Sequence, residues 1–177
     1  MEATVIAVAG SRDSGKTTTI EILTRELTRR GYKVAVMKHV PEPNFTIDTE
    51  GKDTRRFAKS GAKTIISVAS NEIATIEKVN VENLSLKEIL KKCDGNDIVF
   101  LEGFRKLVGK MKDVPKIVAV KSKEEASEAL TAFKPILAFT GPYSTKNLNL
   151  RVPYVDVLQN PEKIADIAEK TVRKSFP

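Results

Sequence analysis

The sequence predicts a three-layer α/β fold, a mainly parallel sheet covered by helices on both faces, and two observations carry that expectation. Apolar runs rich in Val and Ile recur between helical patterns: TVIAVA (4–9), KVAVMK (33–38), KTIISVA (63–69), DIVFLE (97–102), KIVAV (116–120) and PILAFT (135–140). Unbroken runs of this kind suit strands covered on both faces, as in parallel sheets. The second observation is a glycine-rich turn, Gly10-Ser11-Arg12-Asp13-Ser14-Gly15-Lys16-Thr17, directly after the first run and directly before a helical pattern.

The helices follow in order. The first is expected from the glycine-rich turn to Arg30, with Ile20, Leu23 and Leu27 facing the sheet and Gly31 stopping it. A shorter helix is expected from Asp53 to just before Gly61. Residues 72–84 lack helical periodicity and read as an antiparallel edge strand. Ser85 with Glu88 forms a capping-box pattern before a helix ending near Cys93, and Ser122 with Glu125 repeats it before Ala126, Ala129 and Leu130. In the last helix Asn160 suits the cap, Pro161 the first position, and Ile164, Ile167, Ala168 and Val172 share a face. Two long irregular stretches remain, 39–52 and 103–115, each after the carboxyl end of a strand, where open α/β sheets bind ligands.

Composition bounds the rest. A length of 177 residues fits one domain spanning 1–177, and 41% hydrophobic with 30% charged residues is ordinary for a globular protein. The net charge of +7 suits anionic partners, although Lys and Glu are interleaved and a solvated surface gives the same figure. Without an aromatic stacking motif or basic stripe, nucleic acid is not an expected partner. A single cysteine, Cys93, excludes an internal disulfide framework and shares a helical face with Leu86, Ile89 and Leu90, which indicates core packing. There is no signal-peptide pattern and no membrane-length apolar run, so a cytoplasmic location is expected.

The glycine-rich turn satisfies GxxxxGK[ST] at every fixed position, the P-loop pattern. Its glycines let the backbone curl so that successive N–H groups point at phosphate, and the helix N-terminus adds its positive dipole. Lys16 is placed to reach β- and γ-phosphates, and the Thr17 hydroxyl to ligate Mg²⁺. A second acidic group is needed for the metal shell. Glu102 ends its strand at the ligand edge, whereas Asp97 opens the same strand roughly 16 Å away at about 3.3 Å per residue. Asp48-Thr49-Glu50-Gly51 matches DxxG, a short pattern that chance also produces; its position in the long loop makes Asp48 a further metal-shell candidate. His39 is the one histidine and follows Lys38 at a strand end, where it suits a ligand phosphate, a proton relay or a plain hydrogen bond. Arg12, Arg55, Arg56 and Arg105 fall in or beside the ligand-edge segments. Thr145-Lys146-Asn147-Leu148 lacks the aspartate of a guanine-recognition signature, so the residues alone leave GTP and ATP both open.

The order of elements then matters more than any one of them. GSRDSGKTT, GYKVAVMKH, FTIDTEGKDTRRFAKSGAKTIISVAS and DIVFLEGFRK followed by PKIVAV resemble the molybdopterin-guanine dinucleotide biosynthesis protein B (MobB) family over residues 4–120. The resemblance implies a three-layer P-loop NTPase fold, GTP binding with slow hydrolysis, and a homodimer. It also implies a role beside the guanylyltransferase that attaches GMP to molybdopterin, in a molybdenum or tungsten pathway. Carried over by position, Gly10, Ser11, Arg12, Asp13, Ser14, Gly15, Lys16, Thr17 and Thr18 would bind nucleotide. His39, Gly51, Lys52, Asp53, Thr54 and Arg56 would form the substrate or phosphate loop, Lys16 and Glu102 would serve catalysis, and Thr17, Asp48 and Glu102 the metal. VPEPNFTI at 40–47 departs from the more polar loop common in relatives. A small-molecule kinase, with Glu102 or Asp48 activating a hydroxyl, and a non-catalytic nucleotide-binding adaptor are the alternatives.

Overall fold

The computed structural model describes residues 3–148 and 150–173. Its elements are β1 (Thr4–Gly10), α1 (Lys16–Arg29), β2 (Val34–Lys38), α2 (Asp53–Lys59), β3 (Thr64–Val68), β4 (Ile73–Glu77), α3 (Leu86–Leu90), β5 (Ile98–Glu102), α4 (Arg105–Val108), β6 (Lys116–Ala119), α5 (Lys123–Ala132), β7 (Ile136–Thr140) and α6 (Pro161–Arg173). The chain packs as two compact units: the described residues up to His39 and from Leu90 onward form one, and Val40–Ile89 the other.

The first unit is built on a five-stranded sheet in the order β2-β5-β1-β6-β7. Every neighbouring pair is parallel. Alternation along β1 divides its side chains between two apolar layers. Ile6 and Val8 join Ile20, Leu23 and Leu27 of α1 and Ile164, Ala168 and Val172 of α6 on one face. Ala9 turns to the other face, where Val118 and Phe139 meet Ala126, Ala129 and Phe133. The three-layer arrangement thus follows from strands that are apolar on both sides. Arg30, just past α1, ties that helix to α6: its guanidinium donates to Asp166 at 2.8 Å and to Glu169 at 2.9 Å, and the Tyr32 hydroxyl donates to Glu169 at 3.0 Å.

The helix expectations hold closely. α1 ends at Arg29, and Ser85 and Glu88 form the reciprocal capping box, the Ser85 N–H donating to the carboxylate at 2.8 Å and the Glu88 N–H to the hydroxyl at 3.3 Å. At α5 the box is altered. Ser122 accepts from the Glu125 N–H at 3.2 Å, but the Glu125 carboxylate accepts from the N–H of Lys121, one residue earlier than a capping box uses. Cys93 is buried, and that burial raises its thiol pKa.

One strand expectation is corrected. The run at 63–69, expected in the parallel sheet, pairs antiparallel with β4 in a separate two-stranded sheet of the second unit. An apolar run of this length states that a strand forms, not which partner it takes. The 72–84 stretch contains the expected antiparallel strand, as β4 of that hairpin and not as an edge of the main sheet.

Candidate functional site

Three strand ends of the first unit meet at one edge of the sheet. β1 runs into the glycine-rich turn, β5 ends at Glu102, and β2 ends at Lys38, which pairs directly opposite Glu102 in the β2–β5 ladder. The tight entry to the turn explains Gly10. Its φ is +150°, and a Cβ there would lie 2.4 Å from the Ala119 carbonyl oxygen and 2.5 Å from Ser14 Oγ. α1 then begins behind Gly15 with no side-chain cap on its first N–H groups and no acidic residue in its first turn. A helix start of this kind is suited to an external anion.

Arg12, Asp13, Ser14, Gly15, Lys16, Thr17, Thr18, Lys38 and Glu102 together line a cavity of about 440 Å³. Lys16 Nζ donates to the Ser11 carbonyl within the loop. Burial is the main cause lowering its pKa; Glu102 and Asp13 oppose the shift, and the charges of Lys38 and Lys121 add to it. The Thr17 hydroxyl donates to the Glu102 carboxylate, 3.2 Å and 3.3 Å from its two oxygens. Glu102 is 8% exposed and ion-paired through Oε1 with Lys38 Nζ at 3.3 Å. Ser14 Oγ is buried in the loop with no hydrogen-bond partner. Arg12 and Asp13 are exposed and 3.7 Å apart as an ion pair.

His39 follows at the mouth of the same strands. Its N–H donates to the Glu102 carbonyl at 2.8 Å, and its ring packs on Phe104 with centroids 5.5 Å apart. Gly103 makes that approach possible: its φ is +84°, and a Cβ would sit 2.9 Å from the His39 carbonyl oxygen. Asp97 lies at the far end of β5, as expected, and its carboxylate accepts from the Lys33 N–H at 2.7 Å.

Arg105, also in the first unit, stacks its guanidinium on Phe133, 5.3 Å from the ring centroid, and the remaining candidates belong to the second unit. Asp48 accepts through Oδ1 from the Thr54 hydroxyl at 2.7 Å, while its Oδ2 is buried without a hydrogen-bond partner. Gly51 has a φ of +86°, and Lys52 occupies the N-cap position of α2 in an extended conformation. Asp53 and Arg56 pair at 3.2 Å on the exposed surface, and Glu50 pairs with Arg55 and Lys59.

Sequence reasoning missed Lys38 and Lys121. Lys38 is the first residue of the KH pair, and its register opposite Glu102 becomes visible only once β2 and β5 are paired. Lys121 follows β6, and its Nζ donates to the Arg12 carbonyl at 2.8 Å, so it braces the loop from outside.

A parallel sheet whose first strand passes through GxxxxGKT into a bare helix N-terminus defines a P-loop α/β protein. The chain belongs to the MobB family, molybdopterin guanine dinucleotide synthesis protein B, whose model matches residues 5–141. A relative from Methanocaldococcus jannaschii is 36% identical over 122 residues, covering 68% of this chain and 48% of its own length. The molybdopterin-guanine dinucleotide biosynthesis adapter protein of Haemophilus influenzae is 34% identical over 116 residues, covering 64% of this chain and 61% of its own length. The chain thus spans about half to three fifths of the length of these two relatives. The adapter protein of Escherichia coli matches at 27% identity across 96% of this chain and 94% of its own length. A crystal structure of molybdopterin-guanine biosynthesis protein B superposes with a TM-score of 0.73 at 27% identity, over 96% of this chain and 99% of that one. Bacillus subtilis MobB shares the fold, with a TM-score of 0.71 at 21% identity over 93% of this chain and 97% of its own.

Proposed function

We propose that the chain is a GTP-binding accessory protein that assists attachment of GMP to molybdopterin beside the guanylyltransferase, hydrolysing GTP slowly with Mg²⁺. The observation that carries this reading is the juxtaposition of Lys16, Thr17 and Glu102 in one cavity beneath a helix start without a side-chain cap. Bare N–H groups and Lys16 suit the phosphates. Thr17 and Glu102 offer adjacent hard oxygen donors, and among the described residues no group of three or more His, Cys, Asp or Glu forms a cage. Few protein oxygens beside a phosphate is the arrangement Mg²⁺ favours, so the residues fit the ion. When bound, it would neutralise charge developing on the phosphates.

Slow turnover follows from the same contacts. A general base needs a carboxylate free to take a proton from water. Glu102 is instead committed in both states: here to the Thr17 hydroxyl and the Lys38 ammonium, and with Mg²⁺ bound it would be a ligand of the ion. That occupation also favours the adaptor reading, in which holding nucleotide matters more than cleaving it, and the relatives from Haemophilus influenzae and Escherichia coli are named adapter proteins. Among the described residues no helix is long and apolar enough to cross a membrane, in keeping with a proposed cytoplasmic location.

The test is a calorimetric titration of GTP and ATP with and without Mg²⁺, repeated with molybdopterin present. Preference for GTP, strengthened by Mg²⁺ and changed by the pterin, is the expected result; equal or absent binding of both nucleotides overturns it. Glu102→Gln should remove the gain that Mg²⁺ brings while leaving metal-free affinity largely intact, with Asp48→Asn as the comparison variant. Tight GTP binding without single-turnover phosphate release would leave the adaptor reading, and phosphate transfer to a metabolite would favour a kinase.

A further inference from the structure

Among the residues lining the cavity, Lys38 is the one cation that lies outside the GxxxxGKT loop. Its backbone is fixed, because β2 is paired with β5 and the following N–H, that of His39, donates to the Glu102 carbonyl at 2.8 Å. Its side chain is not: it is 58% exposed, while the Glu102 side chain it meets at 3.3 Å is 10% exposed. Lys38 also shares its acceptor, since Glu102 Oε1 accepts from the Thr17 hydroxyl at 3.2 Å. The ammonium therefore sits beside the two protein oxygens that suit a divalent cation, on a flexible four-carbon stem.

That placement has a consequence for any ligand carrying both phosphate and a divalent cation. With a divalent cation held at Thr17 and Glu102, Lys38 would lose its ion pair through charge repulsion and competition for Oε1. The displaced ammonium then needs another anion. Phosphates lying within the loop are served by its N–H groups and by Lys16, which is held at the Ser11 carbonyl. A phosphate extending beyond the loop toward Glu102 would be the one left to Lys38.

We propose that Lys38 is the residue that tells a nucleoside triphosphate from a diphosphate, exchanging its ion pair with Glu102 for a contact with the terminal phosphate. The proposal rests on the reading of the cavity as a Mg²⁺-nucleotide site.

The experiment titrates the full-length chain, in saturating Mg²⁺, with GTP and with GDP, for the wild type and for Lys38→Met, Lys38→Gln and Lys38→Arg. The neutral variants should lose about tenfold in GTP affinity and stay within about twofold for GDP, and the arginine variant should recover most of the loss. Equal weakening of both nucleotides would make Lys38 a general electrostatic contributor and overturn the proposal. So would GTP binding unchanged by both neutral substitutions. A wild-type chain that bound neither nucleotide would sink the underlying reading, an outcome separate from wild-type binding that the variants leave untouched. Thermal melts of all variants check folding, which an exposed side chain on an edge strand should leave intact.

Discussion

Lys16 holds a charge that its surroundings disfavour, and this makes its titration measurable. Burial leads the lowering of its pKa from the ordinary value of 10.5, with Glu102 and Asp13 opposing. A phosphate ligand requires the ammonium, so affinity is complete below the lowered pKa and declines as pH rises through it. We expect GTP affinity, followed by calorimetry across the alkaline range, to begin falling below pH 10.5. Lys16→Arg should flatten that decline, because a guanidinium stays charged throughout. Lys16→Ala should abolish binding at every pH with an unchanged circular dichroism spectrum. A wild-type affinity that stays level up to the range of an exposed lysine would contradict the buried environment drawn for this side chain.

Elements add the contacts that hold the loop's platform in place. α1 carries Lys16 and Thr17, and its far end is fastened to α6 through Arg30, whose side chain is 19% exposed against 13% for Glu169. Replacing Arg30 by Ala takes a partner from the partly desolvated Glu169 carboxylate and should cost about 1–2 kcal/mol, lowering Tm by about 2–8 °C. Differential scanning calorimetry checks this. Tyr32→Phe, which removes one hydroxyl contact to Glu169, should cost less. At this scale the sequence was most legible. The P-loop, its flanking strand and helix, the Ser85 cap and the position of Glu102 at a strand end are set by local spacing, and local spacing is what a sequence displays. Pairing between distant strands is not displayed. That is why Lys38 is not legible as a site residue although it stands opposite Glu102, and why the 63–69 run does not disclose its antiparallel partner. Lys116 is a further case. It reads as the polar opening of a strand, yet it is fully buried, with Nζ donating to the carbonyls of Met111 and Lys134 and its pKa lowered by burial.

The whole molecule has an apolar face that its own chain leaves exposed. In the β3–β4 hairpin Val68 pairs with Ile73 and Ile66 with Thr75, so these four side chains share one face. Ile66 is 58% exposed, Val68 75% and Ile73 69%. A two-stranded sheet alone is marginal in water. A single chain in solution would carry that cost without compensation, whereas a second copy meeting the same face would bury identical β-branched side chains across a two-fold axis. On this physical ground we propose a homodimer. Light scattering coupled to size exclusion should give twice the chain mass for the wild type. The double variant Ile66→Asp, Ile73→Asp places two carboxylates on the shared face and should give the single-chain mass. Because both positions are exposed, its far-ultraviolet circular dichroism should match the wild type, which separates loss of association from loss of folding. A wild type eluting at single-chain mass, or a folded double variant that still associates, would rule out this face as the dimer contact.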